Sequence, residues 1–190
     1  MDNKEFFNSR AFEWDEVCEH NDEKLKKIME ISSLKRDSKI LDIGTGTGIL
    51  ISYLLDESPA NITAVDISDN MILMAKKKYR DSRVKFVVAD ILEYNKKGFD
   101  YIFLYSVYPH FDDKERLFSH LSTLINDGGK IIIAHGNSKE EINEVHHKNS
   151  HTKDDRLPSV EVTANIMSRY FKVDVMIDDA DMYYISGIKA

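Results

Sequence analysis

At 190 residues the chain is long enough for one full domain, a sheet with helices on both faces. With 26 Lys and Arg against 33 Asp and Glu the net charge is −7, which disfavours partners held through a phosphate backbone, such as DNA or RNA. Cys18 is the single cysteine, so no internal disulfide forms and a reducing cytoplasm is expected; the polar start MDNKEFFNSR is no signal peptide, and no apolar run reaches membrane-span length.

Segment 1–37 is expected to be helical. Phe6, Phe7, Phe12 and Trp14 form an aromatic cluster that packs the segment down or acts as a lid, and a helix follows from Asp22 to Leu34 with Leu25, Ile28 and Ile31 on one side. A strand over 39–43 then enters a bend with Gly44, Gly46 and Gly48 and a helix from Ile49 to Asp56. Strands at 61–66 and 84–88 flank a helix from Ser68, its N-cap, to Tyr79, whose Lys76-Lys77-Lys78 run reads as a solvated face. A strand at 99–105 precedes a helix over Asp113–Leu124 with Leu117, Leu121 and Leu124 in register; Asn126-Asp127-Gly128-Gly129 stops it before a strand at 130–135. Ser138 with Glu140 and Glu141 reads as a capping box for a helix to about Lys148. Residues 148–158 look like a mobile loop, and a last helix runs from Pro158 and Ser159 to about Tyr170. The runs Phe171–Asp178 and Met182–Lys189 are joined by only Asp179-Ala180-Asp181, so they pair antiparallel. The alternation predicts an α/β fold, a doubly wound, mostly parallel seven-stranded sheet ending in an antiparallel hairpin. The expected organisation is one domain, 1–190, with a cap segment 1–37, a cofactor-binding core 38–136 and substrate-side helices with the hairpin in 137–190.

The stretch KILDIGTGTGIL carries the first functional signal. Glycines on alternate positions after a strand turn the backbone tightly and let a ligand approach it with no Cβ in the way. Strand two ends in Asp66, where a carboxylate accepts from ribose hydroxyls, and strand three closes in Asp90, placed to accept from an adenine amine. Ile67 and Ile91, each directly after one of these acids, are candidates to sandwich the ring. Both acids are equally placed to cap the helices that follow. A nicotinamide cofactor shares the ribose carboxylate, but Ile49 stands where the dinucleotide fingerprint wants its third glycine.

With LDIGTGTG, AVDIS, VVADILEY, FDYIFLYSVYPHF and LINDGGKIIIAH in order, the chain resembles the class I S-adenosylmethionine-dependent methyltransferases over about residues 39–135. The resemblance implies a Rossmann-like methyltransferase fold and S-adenosylmethionine as cofactor. It places Gly44 and Gly46 at the methionine part, Asp66 at the ribose, and Asp90 with the Ile91 backbone at the adenine. Asp42 acts through the amino group or ordered water, and Thr45, Gly48 and Tyr105 complete the expected cofactor set.

Methyl transfer needs in-line placement of an acceptor lone pair, and a base only where the acceptor must lose a proton. Tyr105-Ser106-Val107-Tyr108-Pro109 is not the signature of enzymes that methylate nucleobase amines, and Cys18 lies too early for a covalent cysteine mechanism, so a small-molecule acceptor is expected, with a protein acceptor as the second class. His110 after strand four and His135 closing strand five are the alternative bases, against the reading that each only bonds a neighbouring loop. Trp14, Ser106, Tyr108, His110, Asn143 and His146 are the expected acceptor contacts, with Tyr105, Ser106 and Tyr108 lining the methyl channel. His135, His146, His147 and His151 with Asp154 and Asp155 match no metal spacing, and no metal is expected. A second copy of the chain is left open as a partner. A catalytically silent S-adenosylmethionine-binding module and a nicotinamide-dependent reductase are the competing functions.

Overall fold

The computed structural model describes residues 2–18 and 20–190; Met1 and Glu19 of the expected cap segment lie outside them. Seven strands form one sheet in the order β3-β2-β1-β4-β5-β7-β6, with the antiparallel hairpin at its end as expected. The chain divides into two compact units, one up to Asn95 and one from Lys96 to Ala190. The division falls inside the segment 38–136 expected to form one core.

In the N-terminal unit, β1 (Lys39–Ile43) and β2 (Asn61–Asp66) are near-continuous apolar runs because a parallel strand covered on both faces has no solvent side to alternate with. β3 (Val84–Val88) pairs only with β2 and is more open. Three helices precede β1: α1 (Asn3–Arg10), closed by a capping box between Asp2 and Glu5, α2 (Trp14–Val17), and α3 (Asp22–Ser32). α3 stops two residues short of the expected Leu34 because Ser33 takes a left-handed conformation, φ 51°, that closes the last turn. α4 (Ile51–Asp56) follows the glycine bend, and α5 (Asp69–Lys78) is capped by the Ser68 hydroxyl, which accepts from the Met71 N–H.

In the C-terminal unit, β4 (Phe99–Tyr105) pairs parallel with β5 (Ile125–His135), and α6 (Lys114–Leu124) connects them. β5 starts five residues earlier than expected. Asn126-Asp127-Gly128-Gly129 does not simply stop the helix but bulges within the strand, so that Phe99 faces Ile125 while Tyr101 already faces Lys130. α7 (Lys139–Lys148) has the expected capping box, between Ser138 and Glu141. α8 (Val160–Met167) is shorter than expected, and its first N–H donates to the Asp178 carboxylate in place of a Ser159 cap. β6 (Lys172–Asp178) and β7 (Tyr183–Ile188) form the hairpin, and β7 also pairs antiparallel with β5.

The bulge explains Gly129. A Cβ there would lie 2.6 Å from Ile125 Cγ1 and 2.9 Å from the carbonyl oxygens of Asn126 and Asp100. Gly129→Ala is therefore expected to cost about 1–3 kcal/mol in urea unfolding, as overpacking does. A variant as stable as the wild type would show that the bulge yields freely.

Candidate functional site

Each unit carries its own cluster of polar side chains at strand ends. In the N-terminal unit the chain leaves β1 through Gly44, Gly46 and Gly48, whose φ angles of 65°, 54° and 91° are left-handed. Asp42, 2 % exposed, accepts from the Thr45 hydroxyl at 2.6 Å. Asp66, also buried, accepts from the Gly46 N–H with one oxygen and the Ser68 N–H with the other, both at 2.8 Å. Burial pushes the Asp42 pKa up to about 7; the Thr45 hydroxyl opposes this, and the charge of Asp66 adds to it.

Asp90 differs from Asp66. It is exposed at the end of β3, and one oxygen caps the single 3-10 turn Ile91–Glu93 through the Leu92 N–H at 2.9 Å. The Ile91 side chain is already buried, whereas Ile67 is half-buried, so only Ile67 now presents a partly open apolar face; the pairwise sandwich is corrected to that extent.

The cap segment is fastened to this bend by residues that the sequence reading passed over. Asn8 accepts from the Ser68 hydroxyl at 2.6 Å and the Asn70 N–H at 3.1 Å, and its carbonyl accepts from the Asn70 amide at 3.0 Å. Asp15 accepts from the Thr47 hydroxyl at 2.5 Å and pairs with Lys78. Trp14 packs edge-on against Phe7, ring centroids 5.7 Å apart, and its Nε1 lies 3.9 Å from where a Cβ on Gly46 would sit. Trp14 thus belongs to the glycine bend. Phe12 is exposed, outside the cluster expected to include it.

In the C-terminal unit His110 ends the 3-10 turn Tyr108–His110 that follows β4, and its Nδ1 lies 2.6 Å from an oxygen of Asp155. His146 Nδ1 donates to the Asp155 carbonyl at 2.9 Å, and the two imidazoles are 5.1 Å apart. Residues 148–158 are tied down, not loose. Asn143 donates to the Leu157 carbonyl at 3.0 Å and accepts from the Leu157 N–H at 2.8 Å, and the Thr152 hydroxyl donates to the His146 carbonyl. Asn143 is thereby corrected from an acceptor contact to a clamp, its amide spent on backbone.

Further corrections concern the methyl channel and the second base. Tyr108 is fully buried against Phe118 with Lys114 over its ring, so it is a core residue; burial raises its pKa. Tyr105 is buried with its hydroxyl against Gly136, and burial pushes its pKa up to about 12. Ser106 alone of the three is exposed, at a left-handed φ of 54°. His135 is 1 % exposed, edge-on to Tyr183, and neither ring nitrogen has a hydrogen-bond partner among the described residues. Burial, with the charges of His110 and His146, lowers its pKa to about 3. An enclosed imidazole that stays neutral near pH 7 cannot exchange protons efficiently, and His135 is withdrawn as the base. Among the described residues no three His, Cys, Asp or Glu side chains are grouped to hold a metal ion, and no helix is long and apolar enough to cross a membrane.

Known proteins resemble this arrangement. A family described as methyltransferase domain matches residues 41–133. Over 122 residues the chain is 38% identical to malonyl-[acyl-carrier protein] O-methyltransferase 1 of Ilyobacter polytropus, covering 63% of this chain and 45% of that protein. It is 35% identical over 117 residues to phosphoethanolamine N-methyltransferase 2 of Caenorhabditis elegans, covering 59% of this chain and 27% of that protein. The chain thus spans less than half the length of either relative. The N-methyltransferase NodS of Bradyrhizobium japonicum, solved with S-adenosyl-L-homocysteine, shares the fold with a TM-score of 0.76 at 14% identity, covering 100% of this chain and 99% of that one.

Two buried groups titrate with opposite sign. His135, near 3 when folded against 6.5 when unfolded, contributes stability that is present above pH 6.5 and lost as pH falls through that window. Asp42, near 7 when folded against 3.8 unfolded, contributes stability that is present below pH 3.8 and lost as pH rises towards 7. Between pH 4 and 6.5 the two slopes, each on the order of 1.4 kcal/mol per pH unit, largely cancel. Asp42→Asn should therefore leave stability that falls on acidification, and His135→Leu stability that falls on raising the pH. Parallel unfolding midpoints for both variants across that range would refute the assignment.

Proposed function

The chain belongs to the class I S-adenosylmethionine-dependent methyltransferases, and on that premise we propose that it transfers a methyl group from S-adenosylmethionine to a small-molecule nucleophile. The observation that carries this reading is the glycine bend with the buried Asp42–Thr45 pair behind it and Asp66 hydrogen-bonded across it. An enclosed carboxylate held near neutrality gains from a cation more than a solvated one does, and the cofactor carries an ammonium and a sulfonium. Asp66, whose two oxygens each accept a backbone N–H that fixes the carboxylate beside the bend, is assigned to the ribose hydroxyls. Asp90, with one oxygen used in capping, accepts from the adenine amine beside the Ile91 N–H. Thr45 and the glycines shape the bend; Trp14 stands over Gly46 as part of the cap.

When bound, S-adenosylmethionine supplies a methyl group made electrophilic by the sulfonium. The chain itself must align the acceptor and take its proton where one is lost. His110 is the base, His146 lies beside it, and Ser106 remains as an exposed polar contact. The relatives are named for phosphoethanolamine and for malonyl-[acyl-carrier protein], neither of them a nucleic acid, and the net charge of −7 likewise disfavours a nucleic-acid acceptor. The single cysteine supports work in the reducing cytoplasm.

Because Asp90 is exposed, Asp90→Ala removes one capping bond and little else from the fold. Its unfolding midpoint should stay near the wild type while S-adenosylhomocysteine binding, read by calorimetry, weakens about tenfold or more. Unchanged affinity would remove Asp90 from the adenine, and no binding heat from the wild-type chain would sink the whole reading.

The acceptor is found by incubating the protein with S-adenosylmethionine and a metabolite extract, with phosphoethanolamine and a malonyl thioester run singly, and reading methylated products by mass spectrometry. On the acceptor so identified, His110→Ala should lower kcat about 10²-fold or more with cofactor affinity kept. Near-normal turnover would remove His110 as the base.

A further inference from the structure

We propose that Asp155 is a positioning residue for the reaction, fixing His110 in the tautomer with its proton on Nδ1, so that Nε2 is the nitrogen that receives the acceptor's proton. The inference deepens the reading of His110 as base and rests on it for its catalytic meaning.

The contact joins residues 45 apart in sequence at 2.6 Å, and both side chains are mostly buried, at 11% and 18% exposure. Asp155 is not held there by that bond alone. Its N–H donates to the Thr152 carbonyl at 2.9 Å, its carbonyl accepts from His146, and two residues further on Asn143 grips Leu157 from both sides. A backbone fixed on each side of the carboxylate is what a positioning role requires, because a loose partner sets no orientation.

The tautomer follows from chemistry. Burial pushes the Asp155 carboxyl upward, but the hydrogen bond from His110 and the charges of His110, His146 and His151 outweigh it and hold the group below the usual carboxylate range. An ionised carboxylate only accepts, so the nitrogen facing it must carry the proton. The other charged or titratable groups nearby are His146 on α7, His135 on β5, and Lys114 and Asp112 at the start of α6, and none of these replaces the carboxylate at Nδ1. When Nε2 takes the acceptor's proton, the positive charge formed on the ring faces the Asp155 carboxylate within the same hydrogen bond.

The test reads the ring directly in the full chain without acceptor. Long-range proton–nitrogen spectra of 15N-labelled protein at pH 8.5, with the His110 signals assigned through His110→Gln, should show Nδ1 protonated and Nε2 bare. Asp155→Asn keeps the size of the side chain but can turn an amide N–H toward the ring, and should replace that signature with protonated Nε2. Asp155→Glu should restore the wild-type pattern at least in part. S-adenosylhomocysteine affinity should stay within about twofold throughout, since a Kd change of that size is under 0.5 kcal/mol. A wild-type ring protonated on Nε2, or an Asp155→Asn ring still protonated on Nδ1, overturns the proposal. These outcomes are independent of turnover, so a failure of His110 as base shows separately, as activity retained in His110→Ala.

Discussion

Burying two carboxylates beside one backbone bend is the constraint on which the N-terminal unit depends. Asp42 and Asp66 stand at the ends of adjacent parallel strands, and both are buried. Such a pair persists only if hydrogen bonds replace the lost water. The replacement comes from the bend, through the Thr45 hydroxyl and the Gly46 N–H, and from the Ser68 N–H at the start of α5. The left-handed conformation at Gly46 therefore turns an N–H towards a carboxylate that burial would otherwise strand. The residual imbalance is the raised pKa of Asp42, which burial drives and the Thr45 hydroxyl only partly offsets.

The C-terminal unit meets a related demand in another way. Three of its histidines differ in what surrounds them: His110 has a carboxylate, His146 a backbone carbonyl, and His135 neither among the described residues. The same side chain is accordingly a ring held by a carboxylate, a neighbouring donor and an enclosed neutral ring. Segment 149–158 makes the difference, since it brings both the Asp155 carboxylate and its carbonyl. Removing the contacts of Asn143 with Leu157 would loosen the segment that holds both histidines.

What was legible in the sequence follows the range of the interactions involved. Strand limits in β1, β2 and β4, the caps at Ser68 and Ser138, and the hairpin all rest on local propensity or on neighbours within a few residues. The glycine bend and the aspartates at strand ends were legible because they sit at fixed offsets from a strand. Asn8, Asp15 and Asp155 were not, because their partners lie 32 to 62 residues away and no periodicity marks a polar residue that will meet its partner only in the fold. Tyr108 and His135 were misplaced for a different reason. On β5 the positions from Ile131 to Ala134 are all buried, so alternation carries no information about which way residue 135 faces.

A buried ring with two bare nitrogens still demands a physical account. His135 faces Tyr183 across the antiparallel β5–β7 pair, and Tyr183 directs its hydroxyl to Thr163 at 2.7 Å instead of to the imidazole. The Tyr108 hydroxyl is likewise buried without a hydrogen bond among the described residues. Leaving such groups unpaired costs about 1–3 kcal/mol each, more than a typical surface ion pair returns. An apolar side chain at 135 would avoid that cost, so stability alone gives the position no reason to be histidine. What the position excludes is charge: a lysine or arginine there would set a buried positive group beside His110 and His146, whereas the neutral imidazole adds none.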